Sequence, residues 1–121
     1  MFVSDINNEH TCYFVAVVDD VVVGYCGMWL AVDQGQITNV AVDPSYRNQG
    51  IATSLINNLI EVCIDNNLES ITLEVRESNV SAINLYTKLG FTNVGCRNNY
   101  YKNPTENGIL MTKFLNFERN D

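Results

Sequence analysis

The chain has 121 residues, 46% of them hydrophobic, with fourteen acidic against seven basic side chains and a formal charge of −7. That is the size of a single domain, spanning 1–121, able to bury a core without staples; its acidity opposes binding to a nucleic-acid backbone, while fitting either a basic partner or plain solubility. No apolar run reaches the length of a membrane span and no signal peptide opens the chain, and the scattered Cys12, Cys26, Cys63 and Cys96 with a lone His10 read as reduced cytosolic thiols, mostly buried, rather than a zinc or iron site.

Residues 1–9 read as a helix remnant or an irregular lead. Thr11 to Val18 and Val21 to Leu30 are apolar and β-prone, and an Asp19-Asp20 turn between them predicts an antiparallel hairpin. After a turn at Gln34-Gly35, Gln36 to Val42 forms a third strand, ended by Pro44. From Ile51 to Asn66 two adjacent apolar stripes recur at helical spacing. They are Ile51, Leu55, Leu59, Cys63 and Ala52, Ile56, Ile60, Ile64, with Asn57, Asn58, Glu61 and Asp65 on the other side. Ser70 to Arg76 alternates, with Ile71, Leu73 and Val75 on one face and Thr72, Glu74 and Arg76 on the other. Strand, helix and strand in that order predict a parallel, right-handed crossover. A second helix runs from about Asn79 to Leu89. Ser78 or Asn79 caps it, and Gly90 ends it in the left-handed conformation with Phe91 packing back. Phe91 to Arg97 and Ile109 to Phe114 are the last strands, flanking a polar loop with Tyr100, Tyr101 and Pro104. The class is a mixed α/β sheet with helices on its faces.

Three groups of residues carry chemistry. In Arg47 to Thr53, Gly50 lets the backbone approach a ligand and Ala52 avoids crowding it. The N–H groups that open the next helix then point at phosphate oxygens, and Arg47 adds charge. Alone, that pattern equally suits a loop whose glycine turns the chain. Glu74 lies near the carboxyl end of an inner strand, where ligands collect in α/β folds; the plainer reading is a carboxylate paired with Arg76 or Arg47. Asn79, Ala82, Ile83 and Tyr86 share a helical face; the plainer readings are an N-cap and a core aromatic. Tyr100 and Tyr101 wall an acceptor pocket or cover the sheet, and Trp29 is read as packing.

Taken together in order, the pattern resembles the GCN5-related N-acetyltransferase (GNAT) superfamily, and within it the bacterial ribosomal-protein alanine N-acetyltransferases. The residues that carry the resemblance run from Asn39 to Pro44, Arg47 to Ala52 and Leu73 to Arg76. Ser78-Asn79, Ala82, Leu85-Tyr86, Gly90-Phe91, and Arg97 with Tyr100-Tyr101 complete it, so it covers roughly Cys12 to Phe114. The resemblance implies the acyl-CoA N-acyltransferase fold, a mixed central sheet with helices on both faces, without its usual first strand and helix. It implies acetyl-CoA as co-substrate and no metal. Val40, Ala41 and Val42 would bond the pantetheine arm through their backbone. Asn48, Gln49, Gly50, Ile51, Ala52 and Thr53 would cradle the pyrophosphate, Arg47 would bind the cofactor by adding charge, and Asn79 would touch it. Glu74 would be general base, Tyr86 general acid, and Tyr100 and Tyr101 would meet the acceptor. That acceptor would be the N-terminal amine of a basic ribosomal protein, in the cytoplasm.

Against the family's pattern, Ala52 stands for a commoner glycine, and Glu106-Asn107-Gly108 for an acidic-then-alanine run. The missing first elements predict an open sheet edge, for which a homodimer is one cover. Two other readings stay open: an acetyltransferase for a small amine or lysine, and a non-catalytic domain for coenzyme A binding or assembly.

Overall fold

The computed structural model describes residues 2–7, as backbone, and residues 10–115. Strands β1 (Phe2–Asn7), β2 (Thr11–Val18), β3 (Val21–Leu30) and β4 (Gln34–Val42) precede helix α1 (Ile51–Asp65). Strand β5 (Ser70–Arg76), helix α2 (Val80–Lys88), β6 (Thr92–Tyr101) and β7 (Glu106–Phe114) follow. They form one sheet in the order β1-β2-β3-β4-β5-β7-β6. All neighbours are antiparallel except β4 and β5. Among the described residues no helix is long and apolar enough to cross a membrane.

Within residues 1–9, read as a helix remnant or irregular lead, residues 2–7 differ from expectation, while 1, 8 and 9 lie outside the described residues. Phe2–Asn7 is not a helix remnant or an irregular lead but a strand, paired with β2 from Phe2–Val17 to Asn7–Cys12. A strand therefore occupies the edge expected to be bare beside β2, and β1 itself forms that edge. Between β2 and β3, Asp19 and Asp20 have φ of 50° and 65°. That left-handed pair makes a tight turn whose twist matches the hairpin it closes.

One irregularity positions everything that follows. Strands β4 and β5 pair only from Gln34–Ser70 to Gln36–Thr72. Beyond that, β4 stays with β3 as far as Val42, and β5 stays with β7 as far as Arg76. The register between β3 and β4 steps from Gly27–Asn39 to Met28–Ile37, leaving Thr38 as an extra residue. Such a bulge bends its strand and strengthens its twist. The two strands separate there, and the sheet has a gap.

Both helices lie on one face, a correction to the expectation of helices on both. A side chain at Gly35 would strike Cys63 of α1, and Gly35 pairs with Ile71, which pairs with Lys113. Directly opposed residues share a face. Gly90, at the end of α2, approaches Lys113 on that same face. Two right-handed crossovers advancing the same way through a sheet give this result. On the other face Tyr13, Tyr25 and Trp29 point outward, 41%, 46% and 54% exposed, so Trp29 is not core packing.

The stripe Ile51, Leu55, Leu59 and Cys63 is wholly buried, as are Ile56 and Ile60 of the second stripe. Full burial of each large side chain contributes about 1.5–3 kcal/mol. Within the sheet, the buried Thr72 and Thr112 hydroxyls lie 2.9 Å apart, and Thr72 donates to the Met111 carbonyl at 3.0 Å. Their polarity is thereby satisfied. All four cysteines are thiols, Cys12, Cys26 and Cys63 buried and Cys96 exposed.

Candidate active site

The loop after β4 is built by short local bonds. Asp43 Oδ1 accepts from the Ser45 amide at 2.8 Å, which sets a 3-10 turn over Pro44–Tyr46. Arg47 Nε then donates to the Val42 carbonyl at 3.2 Å, so part of its guanidinium holds the end of β4. Asn48 and Gly50 follow in the left-handed region, φ 62° and 79°. Asparagine tolerates that conformation and glycine adopts it freely. Gly50 is the N-cap of α1; no side chain caps the helix, and its first turn holds no acid. The amides of Ile51, Ala52 and Thr53 thus start a helix with nothing from its own cap to meet, the arrangement that favours an anion. A Cβ at Gly50 would find no atom within 4 Å, so the approach is open.

This loop floors a groove of about 930 Å³. Val40, Ala41 and Val42 form one wall and α2 the other. Every residue predicted to hold the cofactor lines it except Gln49. Tyr46, Ser81, Asn84 and Lys88 also line it and were not foreseen. Ser81, Asn84 and Lys88 stand at i, i+3 and i+7, one polar face of α2 distinct from that of Asn79, and that spacing was the available signal.

A smaller cavity of about 240 Å³ lies in the gap itself, between Ile37–Val40 of β4 and Leu73–Arg76 of β5. Val40, Asn79, Ala82 and Tyr86 line both spaces, so they adjoin. Asn79 is the cap of α2: its Oδ1 accepts from the Ala82 amide at 3.2 Å. Its side-chain nitrogen is the part left to meet a ligand. Tyr101 lines the smaller cavity; Tyr100 does not. Both tyrosines belong to β6 rather than to a loop, a second correction. The strand continues past a register shift between Arg97 and Tyr101, with Asn99 at φ 54°.

Glu74 lines this cavity, its side chain 19% exposed. Its partner is neither Arg76 nor Arg47 but Arg97, whose Nε lies 3.2 Å from Oε1. Oε2 is buried and has no hydrogen-bond partner among the described residues. Arg76 is committed elsewhere. It reaches Glu106 at 3.2 Å and the carbonyls of Lys102 and Pro104 at 3.0 and 3.1 Å, under the Tyr101 ring at 4.5 Å. Glu106 also accepts from the Ser78 amide at 2.9 Å. Bonds from Ser78, helped by Arg76, hold its carboxyl below the usual range. The last loop is thus latched to the start of α2.

Tyr86 is 8% exposed and meets Phe91 edge-on at 5.7 Å. Burial, with smaller effects from Tyr101 and Cys26, pushes its hydroxyl up to about 12. It therefore keeps its proton across the physiological range. Tyr101 is also raised, by burial first and then by the nearby Glu74 carboxylate. A groove with an uncapped helix start at one end thus adjoins a gap lined by an unpartnered carboxylate oxygen and a protonated phenol.

Comparison with known proteins gives this geometry a family. The acetyltransferase (GNAT) family model matches residues 2–91. The chain is 37% identical over 111 residues to a protein of Bacillus subtilis named putative [ribosomal protein bS18]-alanine N-acetyltransferase, covering 92% of this chain and 74% of that one. It is 40% identical over 79 residues to the Escherichia coli [ribosomal protein bS18]-alanine N-acetyltransferase, covering 65% of this chain and 52%, about half, of that relative. The crystal structure of the E. coli enzyme superposes with a TM-score of 0.83 at 31% identity, over 89% of this chain and 71% of that one. A putative streptothricin acetyltransferase from Bacillus anthracis, solved in complex with acetyl coenzyme A, superposes with a TM-score of 0.82 at 26% identity, over 90% and 65%. The chain belongs to the acetyltransferase (GNAT) family.

Proposed function

We propose that this chain transfers an acetyl group from acetyl-coenzyme A to the N-terminal amine of a ribosomal protein, by direct attack and without a covalent enzyme intermediate. The observation that carries the reading is the pairing of Glu74 and Tyr86 on one cavity at the mouth of the larger groove. The names of the relatives, which act on the alanine of ribosomal protein bS18, support the choice of acceptor. The work is cytoplasmic on this reading.

Acetyl-coenzyme A fits the groove in chemical character. The unpaired edge of β4 from Val40 to Val42 offers backbone groups to the amides of the pantetheine arm, as an added strand would. The helix start from Gly50 to Thr53 meets the pyrophosphate. Arg47 adds charge beside it, and the Asn79 amide reaches the arm.

An α-amine has a pKa of about 8, against about 10.4 for lysine, so near neutrality a sizeable fraction is already neutral. Glu74 takes the proton the amine sheds, directly or through one water. Attack on the thioester carbonyl creates an oxyanion, which a backbone N–H of β4 stabilises. Collapse expels the thiolate. Tyr86, still protonated at neutral pH, donates to the sulfur. The burial that raises the phenol also raises a thiolate leaving in the same gap, which narrows their mismatch.

The test is thiol release from acetyl-coenzyme A with a peptide bearing the alanine N-terminus of bS18. Turnover lowered about 100-fold or more by Glu74→Gln supports the reading. Turnover on spermidine or lysine but not on the peptide would replace the acceptor. Coenzyme A binding without turnover on any amine would leave a binding domain.

A further inference from the structure

Arg97 has no part in the acid–base scheme, and its side chain is 60% exposed. Two contacts nevertheless hold it, the second backed by a ring pair. Its Nε lies 3.2 Å from Glu74 Oε1. Its guanidinium sits 5.1 Å from the centre of the Tyr100 ring. Tyr100 in turn meets Tyr101, a wall of the smaller cavity, edge-on at 5.0 Å. A guanidinium held on an aromatic face loses less freedom when it also binds a carboxylate.

The strand order explains how the two meet. Glu74 on β5 and Arg97 on β6 are separated by β7, where they oppose Leu110 and Gly108. A Cβ at Gly108 would stand 3.4 Å from Glu74 Oε2, 3.1 Å from Tyr100 and 3.3 Å from Tyr101. The absent side chain leaves the space through which the two charged groups touch across the middle strand.

A glutamate carboxyl turns freely unless something holds it, and here one oxygen is held while the other, buried, has no donor. We propose that Arg97 is the positioning residue for the base. By holding Oε1 it fixes the carboxyl, and Oε2, the oxygen with no partner, faces the amine N–H or its bridging water. A buried acceptor without a donor is costly, and an arriving N–H relieves that cost. The proposal rests on the acetyl-transfer reading above.

The test is steady-state kinetics of the full chain with acetyl-coenzyme A and the terminal-alanine peptide, for Arg97→Gln, Arg97→Lys, Glu74→Gln and the Arg97→Gln/Glu74→Gln pair. Arg97→Gln is expected to lower kcat about 10- to 100-fold with KM for acetyl-coenzyme A changed by less than about twofold. Arg97→Lys recovers part of the loss, since it restores charge without the planar fork. In the Glu74→Gln background the Arg97 change adds nothing, because the two act as one unit. Arg97→Gln at the parent's rate overturns the proposal. So does an equal loss in the Glu74→Gln background, which would mean that Arg97 serves the acceptor directly. If Arg97→Gln melts early, the Arg97→Lys kinetics decide, full loss there counting against the proposal. Failure of the underlying reading is distinct: Glu74→Gln would match the parent, or the parent itself would turn over no amine, and the proposal would fall with it.

Discussion

Glu74 and Tyr86 line one cavity from opposite faces of a single sheet. Glu74 stands on the face that carries no helix among the described residues, because Thr72, its neighbour two positions back, pairs with Gln36 rather than with the Gly35–Ile71 side under α1. Tyr86 comes from α2 on the other face. They share a space only because β4 and β5 part after Gln36 and Thr72. On the proposed mechanism Tyr86→Phe lowers kcat about 100-fold while the Kd for coenzyme A stays within about threefold. Stopped-flow turnover beside calorimetric binding checks this. Unchanged kcat would remove Tyr86 from the chemistry.

Gly50→Ala tests the anion cradle. At φ 79° an alanine costs about 1–2 kcal/mol of stability, although its methyl would meet nothing within 4 Å. The same methyl enters the space assigned to the pyrophosphate. Coenzyme A affinity is expected to fall about tenfold or more, since the backbone can no longer approach the ligand. Calorimetry beside a denaturant melt separates the two losses. Tight binding in a destabilised variant would place the phosphates elsewhere.

Gly108→Ala crowds the base and both tyrosines together. The two rings must shift by tenths of an ångström, and kcat is expected to fall by up to about tenfold, less than the roughly 100-fold of a full 1 Å misplacement. Stability should change by no more than about 1–3 kcal/mol, the usual cost of overpacking. A full-rate variant would show that the Glu74 pocket has slack.

The buried thiols make stability fall at alkaline pH. Burial pushes Cys26 and Cys63 up to about 12 from an ordinary 9, and Tyr86 up to about 12 from 10. The unfolded chain loses these protons first, so the folded state gains no charge to offset them. Their contribution is complete below pH 9 and drains away as pH rises towards 12, with a limiting slope of about 1.4 kcal/mol per unit for each group. Urea midpoints from pH 7 to 11 should decline beyond 9, and Cys63→Ala should shallow the decline. A flat profile would contradict the assignment.

Much of the fold was legible because its signals are local. The stripes of α1 repeat every turn, and β2, β3 and β5 match their predicted limits. Gly90 and Phe91 behave as read: φ is 98° at the glycine, and the Phe91 amide donates to the Tyr86 carbonyl at 3.0 Å. What was missed depends on partners. Phe2–Asn7 mixes serine, aspartate and asparagine with apolar residues, and pairing with β2 alone makes it a strand. Asn98, Asn99 and Lys102 around the two tyrosines suggested a loop, yet β6 absorbs a bulge there. The bond between Glu74 and Arg97 spans β7, a strand that follows both of them in the chain. Spacing holds no trace of it, and Arg76, two residues from Glu74, was the natural but wrong partner.

An opening through a sheet has two mouths. Donor and acceptor on this plan reach the same bond from opposite sides and never contend for an entrance. Neither must leave before the other arrives, and initial-rate lines at fixed second substrate should intersect rather than run parallel. A single molecule joining coenzyme A to the acceptor peptide would then thread the protein like a bolt through a plate, held on both faces at once.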